Sequence, residues 1–425
     1  MAFRPAAQNE GGRIGGAVKS YLFTGGRLLD PNRDQLVDGY EVLVEKERIK
    51  EVSDKPIASA GATRIDLAGR TLMPGLVDCH VHVVAASLDL AANAMAQSSL
   101  AALRAARILQ TLLLRGFTTV RDAGGADYGL VRAIDEGLIE GPRLVISGKA
   151  LSQTGGHGDT RPRSDDREML SARVGALGRL VDGVDSVRLA AREEIKAGAR
   201  FVKIMANGGV ASPNDPIHAL GFSRDEIRAA VEEADNAGLY VAAHLYTDEA
   251  IARAVDCGVH SLEHCNLIGP ETARRAAAAG AVAVPTLVTY EALAEEGKAF
   301  GLSPDSVAKI ETVRKGGMAS LSIIRDAGLP MAFGSDLLGQ LQRHHCREWE
   351  IRARVLPIPE IIRSATLIGA KLCGLEGEVG AIVPDAYADL IVVDGDPYRN
   401  VGVLQHDGAH MPAIMKGGTF IKMLL

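Results

Sequence analysis

Six polar residues stand in otherwise apolar runs where they could do chemistry: His80, His82, Lys203, His244, His264 and Asp336. The first two form His80-Val81-His82 at the end of GLVDCHVH. Side chains alternate along a strand, so residues two apart share a face. Both imidazoles then project together, as two ligands of one metal require; the plainer reading is two unrelated histidines near a strand end. His244 ends the run LYVAAHLY, with Tyr246 on the same face. His264 follows Glu263 in VHSLEHCN, and Asp336 closes PMAFGSDL. Taken singly, either histidine reads as a hydrogen-bonded core residue and Asp336 as a helix N-cap. Taken together, four imidazoles and a carboxylate suit zinc or a related borderline divalent ion.

Lys203 is the odd member. It lies in Arg-Phe-Val-Lys-Ile-Met-Ala, among Phe201, Val202, Ile204 and Met205. A lone buried ammonium is costly, so it needs a partner or must lose its charge. A lowered pKa would suit Schiff-base or general-base use. Reaction with carbon dioxide would instead give a carbamate, whose two oxygens can bridge two cations. The third option is a side chain that snorkels to the rim.

These residues need a scaffold that brings strand ends together. Eight apolar runs read as strands: GLVDCHVH, FTTVRDAG, PRLVISGKA, RFVKIMANGG, LYVAAHLY, VHSLEHCN, AVAVPTLV and PMAFGSDL. Between them lie segments of helical periodicity such as SSLAALRAARILQTLLLRG. SRDEIRAAVEEADNAG carries Ser223 as N-cap and Glu226 at the capping-box position. Eight such units in about 300 residues predict an α/β fold, a (β/α)8 TIM barrel. Its active site lies at the C-terminal strand ends, where all six residues fall. A doubly wound sheet is the alternative. Residues 20–73 and 377–425 alternate in short runs broken by Gly, Asn and Asp, and neither segment alone has enough strands to bury a face. They are expected to pair into one small β-sandwich, flanking a barrel over 74–376, with a flexible lead-in over 1–19.

Bulk composition narrows the function. The chain has 425 residues, 47% apolar and 24% charged, with net charge −6. No basic stripe for nucleic acid and no polybasic membrane patch is present. An anionic substrate would need local positive charge, which metal ions could supply. No apolar run reaches the length of a membrane helix, and the start of the chain has no apolar core of a signal peptide. The five cysteines include no CxxC pair and an odd count, which fits a reducing compartment and packing as small hydrophobes. The cytoplasm is the expected location. Asn207 is placed to shape the loop after Lys203. His344 and His345 are expected to be solvent-exposed, His260 to be structural, and His218 to lie in a loop.

PGLVDCHVH, FVKIMANGG, the fifth-run histidine, LEHCN and FGSD resemble the amidohydrolase superfamily, and ADLIVVDGDP resembles its companion sandwich. The resemblance covers nearly the whole chain after about residue 20. It implies a pair of divalent metal ions, zinc first among candidates. His80 and His82, with Asp336, would hold the more buried ion; His244 and His264 would hold the other; Lys203, carboxylated, would bridge them. SQTGGHGD around His157, KIMANGGVASPNDPI and VPTLVTYEAL look like the prolidase-type subgroup. That subgroup holds Xaa-Pro dipeptidases, broader Xaa-amino-acid carboxypeptidases and ochratoxin A amidohydrolases. By this resemblance His157 would contact the scissile carbonyl or its oxyanion, and Tyr246 the carbonyl or the substrate carboxylate. The implied reaction is hydrolysis of the amide to a C-terminal amino acid by a metal-bridging hydroxide, with Asp336 as base and then acid. Substrates would be small: N-acyl amino acids, dipeptides or ochratoxin A. A cyclic amidase, lactonase or phosphotriesterase of the same fold is the alternative, and a metal-free scaffold a further one. The resemblance also implies a homo-oligomer, such as an octamer.

Overall fold

A computed structural model of the chain describes residues 19–210, 212, 215–302 and 304–425. The expected lead-in, save Lys19, lies outside the described residues, as do Ala211, Pro213 and Asn214 of the loop after Lys203.

The central part is a parallel α/β structure. One sheet pairs Arg143–Ile146, Phe117–Asp122 and Leu76–Val81. A second pairs, in order, Gly178–Leu180, Ala150–Ser152, Val202–Met205, Val241–Thr247, Ser261–Leu267 and Val282–Val284. All these neighbours run parallel. Backbone bonds run from the first sheet to segments outside it: Arg200 N, just before the strand Val202–Met205, donates to Ile146 O (2.8 Å), and Cys79 N donates to Phe333 O (2.7 Å).

Most of the expected strands and helices are present. Every residue of Leu76–Val81 and of Phe117–Asp122 is buried, as strands covered on both faces require. The helix Ser98–Leu114 buries Ala101, Ala105, Leu109, Leu112 and Leu113, one stripe at three- and four-residue spacing. Ser223 and Glu226 form the expected capping box at the start of Arg224–Asn236. Three runs depart from expectation. PRLVISGKA splits, its last residue opening the separate strand Ala150–Ser152. In AVAVPTLV the strand stops at Val284, and Leu287–Glu296 is a helix. Pro285 explains the stop, since it has no N–H for the ladder. The eighth run makes only an isolated bridge, Met331 to Ala283, with Ala332 N donating to Ala283 O (2.9 Å). The run ends at Asp336, whose backbone is left-handed.

The terminal segments do pair. Leu390–Val393 runs antiparallel to Thr71–Pro74 in a six-stranded sheet. A four-stranded sheet is built from Arg48–Ser53, Glu41–Glu45, Ser20–Thr24 and Thr63–Asp66. Phe23, Val44 and Ile65 of the smaller sheet share one apolar cluster with Leu72, Leu390 and Met415 of the larger. All five cysteines are buried and free. Among the described residues, no helix is long and apolar enough to cross a membrane.

Candidate metal centre

His80 and His82 project from the end of Leu76–Val81, as period-2 alternation requires. His82 Nε2 lies 3.3 Å and His80 Nε2 3.5 Å from Asp336 Oδ1. One ligand atom from each of these three residues lies within 4.8 Å of the others. His264 Nδ1 is 3.9 Å from Asp336 Oδ2. The His80 and His264 ring centroids are 4.8 Å apart, and those of His244 and His264 4.6 Å apart. Strand register places Met205 beside His244 and Leu245 beside His264.

Lys203 belongs to the same cluster by its charge environment. It is 1% exposed. Burial lowers its pKa to about 8, against the pull of the Glu263 and Asp336 carboxylates. The rim-snorkelling option therefore fails: the ammonium stays inside.

The donor set suits a cation. Burial, aided by the Lys203 charge, lowers the pKa of His80 and keeps its ring neutral. Burial and neighbouring imidazoles push His244 and His264 well below the ordinary value. His82 differs: burial opposes its charge, but the hydrogen bond and charge of Asp336 outweigh it and raise the pKa. Three of the four rings have Nδ1 already engaged, while His244 has its Nε2 3.4 Å from Gly208 O. His80 Nδ1 meets Glu263 Oε2 at 2.6 Å, His82 Nδ1 meets Gly124 O at 2.9 Å, and His264 Nδ1 meets Thr286 Oγ1 at 2.7 Å. At His80 and His82 such bonds leave Nε2 as the nitrogen facing Asp336, the arrangement a divalent ion needs.

Two of these side chains sit on unusual backbone. His264 has φ 71° and Asp336 φ 52°. The left-handed region costs a side chain-bearing residue about 1–3 kcal/mol, and such residues cluster at functional sites. The consequence is visible at Glu263 and His264. Neighbours in a regular strand face opposite ways, yet both converge on His80.

His157 and Tyr246 lie at the mouth. The His157 ring stacks on His244 with centroids 4.1 Å apart. His157 Nδ1 is 2.8 Å from Ser212 Oγ and 3.7 Å from Asp215 Oδ2. The Tyr246 hydroxyl accepts from the Tyr290 hydroxyl at 3.0 Å. His82, His157, Tyr246 and Asp336 all line one cavity of about 810 Å3, open solvent at its mouth included. Asn207 shapes the loop as expected. Its amide donates to Ile217 O and Ala219 O, and its Oδ1 accepts from the Tyr246 and Thr247 backbone.

Several supporting residues were not foreseen. Glu263 and Arg121 are both fully buried, and Arg121 donates two hydrogen bonds to Glu263 (2.8 and 3.0 Å). Burial would raise the Glu263 pKa, but the Arg121 guanidinium holds it well below the usual range. Asp78 accepts from the His80 backbone (2.9 Å), the Ser335 hydroxyl (2.7 Å) and His345 Nε2 (2.9 Å). Period 2 from His80 would have flagged Asp78. His345 is a correction: it is 2% exposed, held by Asp78 and edge-on to Phe117, rather than in solvent. His344 is partly buried against Glu296 (2.5 Å). His260 packs edge-on to Tyr240, and His218 is exposed.

Comparison with known proteins agrees with this geometry. The sequence pattern of the amidohydrolase family matches residues 71–419. Ochratoxinase of Aspergillus niger is 31% identical over 369 residues, covering 83% of this chain and 75% of that one. A prolidase solved in complex with N-methylphosphonate-L-proline is 50% identical, with TM-score 0.93, covering 95% of this chain and 100% of that one. A Xaa-Pro dipeptidase solved with methionine in its active site is 28% identical, with TM-score 0.83 and the same coverage. With its parallel strands, its inward histidines and a family match over most of its length, the chain belongs to the amidohydrolase family.

Proposed function

We propose that the protein hydrolyses the amide bond to a C-terminal amino acid, using two divalent ions, zinc first among candidates. The observation that carries this reading is the convergence of His80, His82 and Asp336 within 4.8 Å, with Lys203, His244 and His264 on neighbouring strand ends. The two parallel sheets, joined through the 331–333 segment, form a (β/α)8 barrel over about 74–376. The terminal segments form its companion sandwich.

His80, His82 and Asp336 would hold the more buried ion and His244 and His264 the second, with Lys203, as a carbamate, a ligand available to both. A buried amine with pKa about 8 has a neutral fraction able to attack carbon dioxide at neutral pH. The neutral amine nitrogen bonds to the carbon of carbon dioxide, one N–H proton is lost to solvent, and the side chain becomes an anionic carbamate that could ligate divalent ions. When bound, the ions supply Lewis acidity toward the carbonyl and make an attacking water acidic enough to ionise near neutral pH.

The chain does the rest. Asp336, between His80 and His82, takes the proton of the attacking water and passes it to the leaving nitrogen. His157, oriented through Nδ1 by Ser212 and Asp215, presents Nε2 to the carbonyl oxygen and steadies the charge that develops there. Tyr246, aligned by Tyr290, meets the carbonyl or the substrate carboxylate. The test is hydrolysis of N-acyl amino acids and dipeptides before and after chelation, then after zinc is restored. The reading expects loss and recovery of activity; cleavage that persists without metal contradicts it.

A further inference from the structure

We infer that Glu348 is a positioning residue of the metal centre: its carboxylate caps the helix Leu287–Glu296 in place of Thr286, and so frees the Thr286 hydroxyl to hold His264. This rests on the metal-hydrolase reading above, in which His264 holds the second ion.

Thr286 stands at the N-cap of that helix. A threonine there ordinarily accepts, through its hydroxyl, from the N–H of the second or third helical residue. Here it makes no such bond. Its Oγ1 lies 2.7 Å from His264 Nδ1 instead. In this rotamer the hydroxyl serves His264 and not the helix.

The missing cap comes from another helix. Glu348, on Arg347–Ala353, is fully buried, and its Oε2 accepts from Val288 N, of the second helical residue, at 2.7 Å. A carboxylate also suits the positive end of the helix dipole. Arg352, equally buried, donates from Nε to Glu348 Oε1 at 2.7 Å and from Nη2 to Pro285 O at 2.6 Å. The pair therefore grips the chain on both sides of Thr286, at Pro285 and at Val288. Arg352 Nη1 and Nη2 also reach Ala332 O at 3.3 Å, closing the gap where the strand Val282–Val284 stops. That closure holds the fold together; the bracket around Thr286 is what reaches the site.

Removing the carboxylate leaves the Val288 N–H buried without an acceptor, a costly state. The Thr286 hydroxyl is the N-cap group suited to replace it. By turning to the helix it would release His264 Nδ1, and the ring would lose the bond that orients it.

The experiment is chelator competition on the zinc-loaded protein, resolving the two binding steps in the parent, Glu348→Gln, Thr286→Val and the double variant. His244→Ala marks the step that belongs to the second ion. Glutamine has one acceptor oxygen for two donors, and the charged guanidinium takes it, so the amide N–H group faces the Val288 N–H. Glu348→Gln is expected to weaken the marked step about tenfold, and Thr286→Val by about 10- to 100-fold, the range for loss of a ligand's outer hydrogen bond. The other step should not move. In the double variant the loss should equal that of Thr286→Val alone, since both changes act on one bond. Should Glu348→Gln fail to fold, Glu348→Met with Arg352→Met removes carboxylate and guanidinium together, leaves no lone buried charge, and carries the same expectation. An unmoved marked step, equal weakening of both steps, or losses that add in full overturn the inference while leaving the metal-hydrolase reading intact. A parent that binds no zinc overturns that reading, and the inference with it.

Discussion

The two ends of the site are built differently. The inner end, around His80, His82 and Asp336, stands on the buried strand Leu76–Val81 and the segment after Met331, and is braced by charged pairs. Arg121 and Glu263 are both fully buried, and Asp78 ties the His80 backbone to Ser335 and His345. The outer end, around His157 and Tyr246, is held by mixed elements: Tyr246 stands on the strand Val241–Thr247, while His157 stands on a loop. His157 leans on Ser212 and Asp215 of one loop, and Tyr246 on a hydroxyl of the helix Leu287–Glu296. The contrast teaches a division of labour. The inner end must hold several ligands to a few tenths of an ångström, and stiff strands with paired charges do that. The outer end needs only to orient one donor and to shape a cavity, which loops do and can vary.

The contrast can be broken from the inside first. Arg121→Met leaves the Glu263 carboxylate buried without its partner. Breaking such a pair costs about 3–5 kcal/mol, so chemical denaturation should show a large loss of stability. Asp336→Asn is expected to lower kcat by roughly 10² to 10⁴, the range for a lost acid–base group, in a protein that still folds. A His157→Ala change should lower kcat by about 10² to 10³, as removal of one oxyanion donor does. The metal content, measured alongside, should not change; a His157→Ala protein that loses its metal would erase the distinction between the two ends. Glu263→Gln keeps shape but weakens the grip on His80, and zinc affinity should fall about 10- to 100-fold. The smallest effect belongs outside the site. Ser223→Ala removes one side of the capping box and should cost about 1 kcal/mol with activity unaltered.

Much of the inner end was readable from the chain because alternation is a local rule. His80 and His82, and His244 and Tyr246, lie two apart and do share a face. The helix at Arg224–Asn236 was readable for the same reason, since its cap is written in four consecutive residues. What was not readable depended on contacts across the structure. Nothing local shows that Arg121, from one strand, reaches Glu263, from another 142 positions away. Alternation also misleads at Glu263 and His264. They are adjacent and should oppose each other, but a left-handed turn at His264 lets both reach His80. His345 was misread because a histidine pair in a loop looks exposed; the buried Asp78 that draws it inward lies 267 positions away. The eighth strand was over-read, since an apolar run ending in Gly-Ser-Asp looks like a strand whether or not a ladder forms.

Lys203 remains the residue on which the account turns. It is the one candidate that needs chemical modification to become a ligand, and its burial as a charged amine is costly. The most direct test is metal stoichiometry by elemental analysis after reconstitution with zinc and bicarbonate, in the parent and in Lys203→Ala. The account predicts two ions per chain in the parent, loss of most metal in Lys203→Ala, and partial recovery when a short carboxylic acid is added. Fewer than one ion per chain in the parent, or an alanine variant with full metal and activity, would contradict it.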